Sequence, residues 1–335
     1  MKKRLFSGIQ PTGEVHIGNY LGAIKNWVSL IDQYECIFSI VDYHAITVPQ
    51  DPESMPRQIL HAATVNIAAG LDPKRSIIFV QSQVPEHTEL AWILHTLTPI
   101  GHLERMTQFK DKARQHRENV NAGLFSYPVL QAADILLYKA EVVPVGEDQV
   151  QHIELAREIT RKFNARYGDF FPEPKELLST APRIMGLDGK NKMSKSLNNY
   201  ISLTESPESI WKKLSVAVTD ENRKKRSDPG DPDKCNIYHL HKHFSSPEEV
   251  DWSANGCRTA GIGCLECKKC LSNNVIKELT PIREKALTLF EDPGYVVETL
   301  KSGAERCQEI ARKTMQEVKE AVGLRLIPQH AKTGR

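Results

Sequence analysis

The feature that most constrains the fold is an alternation of short apolar runs with longer amphipathic stretches through the first half of the chain. Leu5 to Ile9, Cys36 to Val41 and Ser76 to Val80 have the length and apolar character of buried strands. Between them, 18–30 and 52–70 carry apolar residues at helical spacing. This order is typical of βαβ units, which form a parallel sheet through right-handed crossovers. The sequence therefore predicts a doubly wound, Rossmann-like α/β fold.

The character of the sequence changes near residue 200. Apolar residues recur at helical spacing over 202–218, 274–290 and about 295–322. The length of 335 residues also exceeds the usual size of one compact domain. We therefore predict an α/β domain, a mostly helical module and a C-terminal helix that packs back on the first domain and ends in a frayed tail. The predicted ranges are 1–197, 198–293 and 294–335.

Charge and composition leave the partner open but indicate a location. The 44 basic and 42 acidic side chains give a net charge of +2, which neither demands nor excludes a nucleic-acid partner. The basic clusters Lys110–Arg117 and Arg223–Arg226 fit either solvated helix faces or phosphate contacts. The chain has neither a signal-peptide pattern nor an apolar run of ~18 residues, the length of a membrane span. We expect a cytoplasmic protein without membrane contact.

Two short motifs indicate a nucleotide site. His16-Ile17-Gly18-Asn19 follows the first predicted strand and presents an imidazole and an amide at a helix start, although alone such a motif is more often a turn. Lys192-Met193-Ser194-Lys195-Ser196 is a polar loop whose two ammonium groups suit the charge that develops on departing pyrophosphate. Gly146–Gln149 follows another strand-like stretch, so it should face the same crevice.

These motifs, in this order and separated by an α/β half, resemble the two signatures of the class I aminoacyl-tRNA synthetases. A finer resemblance is to the class I enzymes for tryptophan. The sequence blocks shared with them span nearly all of the first two hundred residues. The tyrosine enzymes share the fold and both signatures but not this set of blocks. The blocks are Phe6–Gly13, His16–Ala23, Asp42–Thr47, Glu104–Lys110, Ala132–Leu136 and Gly146–Gln149.

The resemblance implies a tryptophan–tRNA ligase that activates L-tryptophan with ATP and Mg²⁺ and transfers it to tRNA(Trp). It makes 1–197 the catalytic domain and 198–293 the anticodon-binding domain, and it implies a homodimer. The implied ATP-binding residues are Gln10, Pro11, Thr12, Gly18, Asn19, Gly146, Glu147, Asp148, Ile184, Lys192, Met193, Ser194, Lys195 and Ser196. Gln10, Lys192 and Lys195 would act in the chemistry. Lys112 is either a further phosphate contact or a solvated lysine.

The resemblance also implies a tryptophan pocket around Asp134, whose apolar neighbours suit a buried acceptor for the indole N–H. The alternative is a helix N-cap or a salt-bridge partner inside a helix. Gln149 and Tyr127 suit the α-ammonium group. Gln131 stands where bacterial relatives carry methionine, so it either bonds the substrate or turns away. The other implied pocket residues are Phe6, Gly8, His44 and Val143.

A cluster of cysteines indicates a metal site in the second half. Cys235, Cys257, Cys264 and Cys267 form Cys-x21-Cys-x6-Cys-x2-Cys, which fits the two knuckles of a zinc ribbon poorly. Four thiolates also suit a [4Fe-4S] cluster. The spacing resembles that of a subset of bacterial tryptophan enzymes with such a cluster near the anticodon-binding end. That resemblance makes Cys270 an extra thiol, although it could substitute for Cys235.

Alternatives to each assignment stay open at this stage. Zn²⁺ or free thiols could replace the iron cluster. Lys268 and Lys269 beside the cluster would offer charge to a tRNA backbone, whereas Cys36 and Cys307 fit small core residues. Alternative functions are a tyrosyl-tRNA synthetase, a catalytically inactive RNA-binding relative and, more distantly, a nucleotidylyltransferase.

Overall fold

A five-stranded parallel sheet forms the centre of the first half of the protein. The structure, a computed structural model, describes residues 2–115, 120–178, 184–195 and 197–325. The strands are ordered β3-β2-β1-β4-β5, and each neighbouring pair runs parallel. They are β1 (Arg4–Ile9), β2 (Glu35–Ile40), β3 (Ile77–Val80), β4 (Val142–Val145) and β5 (Lys175–Leu178). The predicted doubly wound α/β fold is confirmed.

Helices connect these strands and lie on both faces of the sheet. The predicted helix at 18–30 is one continuous helical segment with a π-helical turn, Tyr20–Ile24, in its middle. The helices are α1 (Ile17–Asn19), α2 (Lys25–Leu30), α3 (Asp42–Ala45), α4 (Met55–Ala68), α5 (Glu86–His95), α6 (Ile100–Glu104), α7 (Thr107–Gln115), α8 (Ala122–Leu137) and α9 (Val150–Tyr167).

Strand alternation divides the interior into two cores. Leu5 faces the core that contains Trp27 of α2 and Val65 of α4, whereas its neighbour Phe6 faces the core that contains Leu136 of α8. Successive side chains point to opposite faces of a strand, so a strand covered on both sides reads as one apolar run. This explains why the strands are short, continuous apolar segments in the sequence.

The chain after residue 200 is mostly helical, as predicted. Its helices are α10 (Pro207–Val216), α11 (Asn236–Phe244), α12 (Pro247–Arg258), α13 (Cys264–Glu291) and α14 (Gly294–Val322). The predicted start of α13 at 274 is wrong. The helix begins at Cys264 because the Glu266 carboxylate accepts the backbone N–H of Gly263, which caps the first turn.

Helix α14 packs directly against the backbone of β3. A Cβ on Gly303 would overlap the Ile78 carbonyl oxygen and lie 2.8 Å from the carbonyl carbon. Only a glycine permits this approach, which buries Cys307 and Met315 in the same core as Leu136. In the described ranges, no helix is both long and apolar enough to cross a membrane.

Candidate active site

The candidate site lies at the carboxyl ends of the central strands. The helix after β1 packs on one face of the sheet and the helix after β4 on the other, so β1 and β4 flank a crevice. Ligands of open α/β sheets bind in such a crevice. The Gln10–His16 loop follows β1, Asp42 follows β2, Gln81 follows β3 and Gly146 follows β4. The topology therefore brings the predicted nucleotide and substrate residues to one edge.

His16 caps the helix that follows β1. Its Nδ1 accepts the Gly18 backbone N–H at 3.1 Å, and the Asn19 side-chain oxygen accepts the His16 backbone N–H at 3.1 Å. Burial, and then the charge of Lys192, lower the pKa of His16 to about 4. The ring is therefore neutral near pH 7, with Nδ1 serving as an acceptor. The cap leaves the partial positive charge of the helix start beside the crevice.

The two nucleotide motifs meet across this crevice. A Cβ on Gly13 would lie 2.7 Å from Cδ of Lys195, and Gly13 itself has a φ of +85°. A Cβ on Gly18 would lie 3.5 Å from the Met193 Cβ. Both glycines therefore leave room for the lysine-rich loop to lie against the first loop. The Ile184 carbonyl accepts the Met193 backbone N–H at 3.2 Å, which ties a second predicted ATP residue to the lysine-rich loop.

An asparagine that the sequence analysis missed anchors the lysine-rich loop. Asn199 is 4% exposed. It accepts the Ser194 backbone N–H at 2.7 Å and donates to Asp188 at 3.0 Å. Gly186 has no room for a Cβ beside the Asn199 side chain. Nothing in the local pattern distinguished these residues from an ordinary polar loop, because the contact joins two sides of a turn. Ser196 and the Lys112 side chain lie outside the described part of the structure.

The Gly146–Gln149 segment contributes a group of linked amide and carboxylate side chains. Asp148 Oδ2 accepts Gln108 and Gln149 N–H groups, each at 3.2 Å. Gln149 in turn accepts an N–H of Gln131 at 3.4 Å. The partner of Gln131 is thus another predicted pocket residue, and Glu147 and Asp148 are exposed at the opening.

Asp134 lies inside α8 and is 1% exposed. Its Oδ2 is 2.7 Å from Nε2 of His44. Its Oδ1 is 2.7 Å from Nε2 of Gln81 and 2.6 Å from Nδ1 of His87. Burial raises the pKa of the Asp134 carboxyl, but its interactions with His44 and His87 outweigh burial and hold the pKa at about 2. The N-cap alternative is wrong, because Asp134 sits in the middle of a helix, where its carboxylate contacts two histidine rings.

Three residues in this cluster were missed by the sequence analysis. Gln81 begins the turn that follows β3, and His87 lies in the first turn of α5. His87 Nε2 is 2.8 Å from the Tyr138 hydroxyl, and both residues are fully buried. Only Gln81 had a signal in the sequence: a polar side chain directly after a predicted strand, at the edge where such sheets bind ligands.

Two of the remaining predicted pocket residues, Phe6 and Tyr127, contact aromatic residues of the cluster around Asp134. Phe6 stacks on Tyr138 at 5.6 Å between ring centroids, and the Phe6 and Val143 side chains share one core. The Tyr127 ring meets the edge of His44 at 6.0 Å. A Cβ on Gly8 would lie 2.7 Å from Cγ1 of Val41. The absence of a side chain at Gly8 therefore lets Val41 pack closely against the end of β1.

The four predicted metal-binding cysteines lie at the ends of three helices. Cys235 precedes α11, Cys257 ends α12, and Cys264 and Cys267 lie in the first turns of α13. Burial, and then the four neighbouring cysteine thiols, raise the pKa of Cys267 to about 12. Across the described ranges, no set of three or more His, Cys, Asp or Glu side chains has the arrangement of a metal-ion site. Every cysteine is a free thiol.

The Cys257 sulfur packs closely against a glycine and an arginine. A Cβ on Gly230 would lie 2.6 Å from Cys257 Sγ, and the Arg223 guanidinium is 3.8 Å from the same sulfur. The prediction that Lys268 faces a tRNA is wrong. Lys268 is 7% exposed, and its ammonium donates to the Ser215 carbonyl at 2.9 Å. Lys269 is exposed.

Comparison with known proteins agrees with this geometry. Residues 1–280 match the family model described as tRNA synthetases class I (W and Y), so the chain belongs to this class of synthetases. The tryptophan–tRNA ligase of Deinococcus radiodurans is 53% identical over 325 residues, covering 96% of this chain and 98% of that protein. The Thermotoga maritima tryptophan–tRNA ligase is 44% identical over 326 residues, covering 96% and 99%.

Solved structures lead to the same family. The crystal structure of tryptophanyl-tRNA synthetase from Campylobacter jejuni, complexed with ADP and tryptophan, has a TM-score of 0.85 and 39% identity. The match covers 96% of this chain and 99% of that chain. Within the class, the protein is therefore a tryptophan–tRNA ligase, and the tyrosine alternative does not apply.

Proposed function

We propose that the enzyme selects tryptophan through a hydrogen bond from the indole N–H to the Asp134 carboxylate. The observation that supports this proposal is the arrangement of hydrogen-bond donors around the Asp134 carboxylate. Oδ1 already accepts Gln81 and His87, whereas in the described structure His44 is the single donor on Oδ2. A carboxylate oxygen accepts two hydrogen bonds, so Oδ2 can take one more donor. An indole N–H donates and cannot accept, so it suits the remaining acceptor position on Oδ2.

The reaction we propose has two steps and needs no protein nucleophile. The tryptophan carboxylate attacks the α-phosphorus of ATP, a new P–O bond forms, and the bond to the β-phosphate oxygen breaks to release pyrophosphate. A terminal ribose hydroxyl of tRNA(Trp) then attacks the activated carbonyl, loses its proton and displaces AMP. The protein's contribution is orientation and stabilisation of the developing negative charge.

We assign this charge stabilisation to Lys192, Lys195 and Gln10, together with the capped helix start. The Lys195 side chain lies against Gly13, and neutral His16 adds no second charge beside Lys192. Mg²⁺ would accompany the ATP phosphates, because this ion keeps several water ligands and needs no cage of protein carboxylates. The remaining predicted ATP and tryptophan residues keep their proposed roles.

The test is Asp134→Asn, measured by amino-acid-dependent ATP–pyrophosphate exchange. The variant keeps the shape but loses the charge, and a hydrogen bond to a charged group contributes about 1.5–3 kcal/mol. We expect kcat/KM for tryptophan to fall by roughly 10- to 150-fold. The same substitution should lower kcat/KM much less for a benzothiophene analogue of tryptophan, in which sulfur replaces the indole N–H.

The same measurement contains its own control. ATP KM should stay unchanged, and circular dichroism should show that the variant folds. If Asp134→Asn lowers the exchange rate equally for tryptophan and for the benzothiophene analogue, Asp134 does not read the indole N–H.

We further propose that Cys235, Cys257, Cys264 and Cys267 hold a [4Fe-4S] cluster. The gathering of these four cysteines at the ends of α11, α12 and α13, and the N–H donor that Arg223 directs at Cys257 Sγ, support this assignment. The alternative is Zn²⁺ held by the same four thiolates. Bound there, the cluster would supply a structural brace between α11, α12 and α13.

Metal analysis tests this assignment. Protein purified without oxygen should contain iron and acid-labile sulfide and absorb broadly in the visible range, and Cys264→Ser should abolish that colour. Colourless protein with stoichiometric zinc would reject the iron assignment. Cys270→Ser is the matched control, because Cys270 points its thiol toward Glu249 at 3.5 Å and should leave the colour unchanged.

The assembly and partners remain proposals. We propose a cytoplasmic homodimer in which 1–197 is catalytic, 198–293 binds the tRNA(Trp) anticodon and 294–335 supports the catalytic domain. Trp92 and Ile100, which are 74% and 67% exposed, support an interface beyond this chain. Sedimentation equilibrium tests the dimer, and footprinting of tRNA(Trp) tests contact between the anticodon and the helical region.

A further inference from the structure

We propose that His87 and Tyr138 are positioning residues that fix the Asp134 carboxylate so that Oδ2 meets the indole N–H. This proposal rests on the proposed role of Asp134 as the indole acceptor. It adds two residues that do not themselves contact tryptophan. They would determine how sharply the enzyme distinguishes a ring with an N–H from a ring without one.

The proposal starts from a continuous chain of hydrogen bonds through the core. Asp134 Oδ1 lies 2.6 Å from His87 Nδ1, and His87 Nε2 lies 2.8 Å from the Tyr138 hydroxyl. The thiol of Cys307 on α14 lies close to the Tyr138 hydroxyl. These four residues are at most 1% exposed. The chain of bonds is therefore closed to solvent along its whole length.

The chemistry of each group sets the direction of every bond. An ionised carboxylate can only accept, so His87 Nδ1 must carry the hydrogen that points to Asp134. In a neutral imidazole the other nitrogen then accepts, so Tyr138 must donate its O–H to Nε2. The tyrosine oxygen can then accept a hydrogen bond from a neighbouring donor such as the Cys307 thiol. A doubly protonated ring would turn the Tyr138 O–H toward a sulfur, which is a weak acceptor.

Packing fixes the two rings in this arrangement. Phe79 of β3 stacks on His87 at 5.8 Å and 21° between ring planes. Phe6 of β1 stacks on Tyr138 at 5.6 Å and 12°. Because protein interiors are close-packed, neither ring can turn without displacing a strand residue. Side chains of the sheet therefore keep the Nδ1–H of His87 directed at the Asp134 carboxylate.

Two fixed donors on Oδ1 have a consequence for the substrate. With Gln81 and His87 in place, rotating the carboxylate would break two charge-assisted hydrogen bonds. Oδ2 therefore keeps one direction for its remaining lone pair. If Tyr138 no longer holds the His87 tautomer, the carboxylate can turn and the indole N–H loses part of its hydrogen bond. The loss should depend on the presence of an N–H in the ring.

The experiment compares two substrates in ATP–pyrophosphate exchange with the full-length protein. The readout is the ratio of kcat/KM for tryptophan to kcat/KM for the benzothiophene analogue. Tyr138→Phe removes a neutral hydrogen bond and should lower this ratio about 2- to 10-fold while leaving ATP KM unchanged. Tyr20→Phe is the matched control. It removes a buried tyrosine hydroxyl that donates to Glu278 on the other side of the sheet, and it should leave the ratio unchanged.

A pair of His87 variants gives an independent result where Tyr138→Phe fails to fold. His87→Asn keeps an N–H close to the position of Nδ1, whereas His87→Leu removes it. We expect His87→Leu to lower the ratio at least as much as Tyr138→Phe, and His87→Asn to restore most of it. A merely structural role would lower activity for both substrates together, and such equal losses would overturn the proposal.

Asp134→Asn separates this proposal from the one on which it rests. If Asp134→Asn lowers the ratio and the His87 and Tyr138 variants do not, the positioning role alone is wrong. If Asp134→Asn also leaves the ratio unchanged, the indole acceptor itself is wrong.

Discussion

Replacing His16 by asparagine should remove a specific pH dependence from the stability of the enzyme. His16 is 9% exposed, and its Nδ1 accepts the Gly18 backbone N–H at the start of α1. Burial and the nearby Lys192 charge lower the pKa of His16 from 6.5 to about 4. Protonation would turn that acceptor nitrogen into a donor and break the cap. Asparagine is a good N-cap residue, so His16→Asn should keep the bond to Gly18 but lose the titration.

The sign of the effect follows from the two pKa values of His16. In the unfolded chain the imidazole binds a proton near pH 6.5, whereas the folded protein resists that proton until about pH 4. As the pH falls between these values, protonation stabilises only the unfolded state. The contribution is therefore present above pH 6.5 and is lost on acidification. At about 1.4 kcal/mol per pH unit, the complete loss is roughly 3 kcal/mol.

Urea unfolding at pH 7.5 and pH 4.5 measures this difference. Between these pH values, the free energy of unfolding of the native protein should fall by about 2–3 kcal/mol more than that of His16→Asn. At pH 7.5 the two proteins should differ by less than about 1 kcal/mol, because both caps are intact. His239→Asn, which replaces an exposed imidazole, should follow the native protein at both values. Parallel curves for the native protein and His16→Asn would refute the reasoning.

Two further substitutions test the packing of α14 and the lysine-rich loop. Gly303→Ala should destabilise the protein by about 1–3 kcal/mol in urea unfolding, despite a gain of up to ~1 kcal/mol in helix propensity, because its Cβ would overlap the Ile78 carbonyl. Gly22→Ala, with open space around its Cβ, should not destabilise it, and equal stability of the two variants would contradict this packing. Lys195→Ala should lower kcat in pyrophosphate exchange about 100-fold with little change in ATP KM. Unchanged exchange would exclude a role for Lys195 in the transition state.

The parts of the fold that sequence predicted well are those where burial is uniform. Strands β1, β2 and β3 appeared as apolar runs because both faces of the sheet are covered. Strand β5, Lys175–Leu178, escaped detection because none of its residues is fully buried. Strand β3 lies at the opposite edge of the sheet, but all of its residues are buried, so it kept the apolar pattern.

The cysteine region shows a second limit of sequence patterns. The first turns of α13 carry Cys264 and Cys267 in place of the apolar residues that mark a helix face, and glycines precede them. Cysteine and glycine are weak helix formers, so the helical pattern was recognised only from residue 274. The structure begins the helix at Cys264 through a capping contact with Glu266, a polar signal that is easily overlooked.

The environment of Asp134 explains why motif reading identified the acceptor but not the group that holds it. A buried carboxylate needs several donors, so Asp134 in its apolar context implied partners without naming them. Gln81 and His87 lie 53 and 47 positions away in sequence, and they reach Asp134 only because β3 ends beside α8 on the same face of the sheet. Three donors are already bound before substrate arrives. The indole N–H would therefore meet a carboxylate whose charge and orientation the protein has fixed in advance, which is the condition under which one hydrogen bond discriminates strongly between substrates.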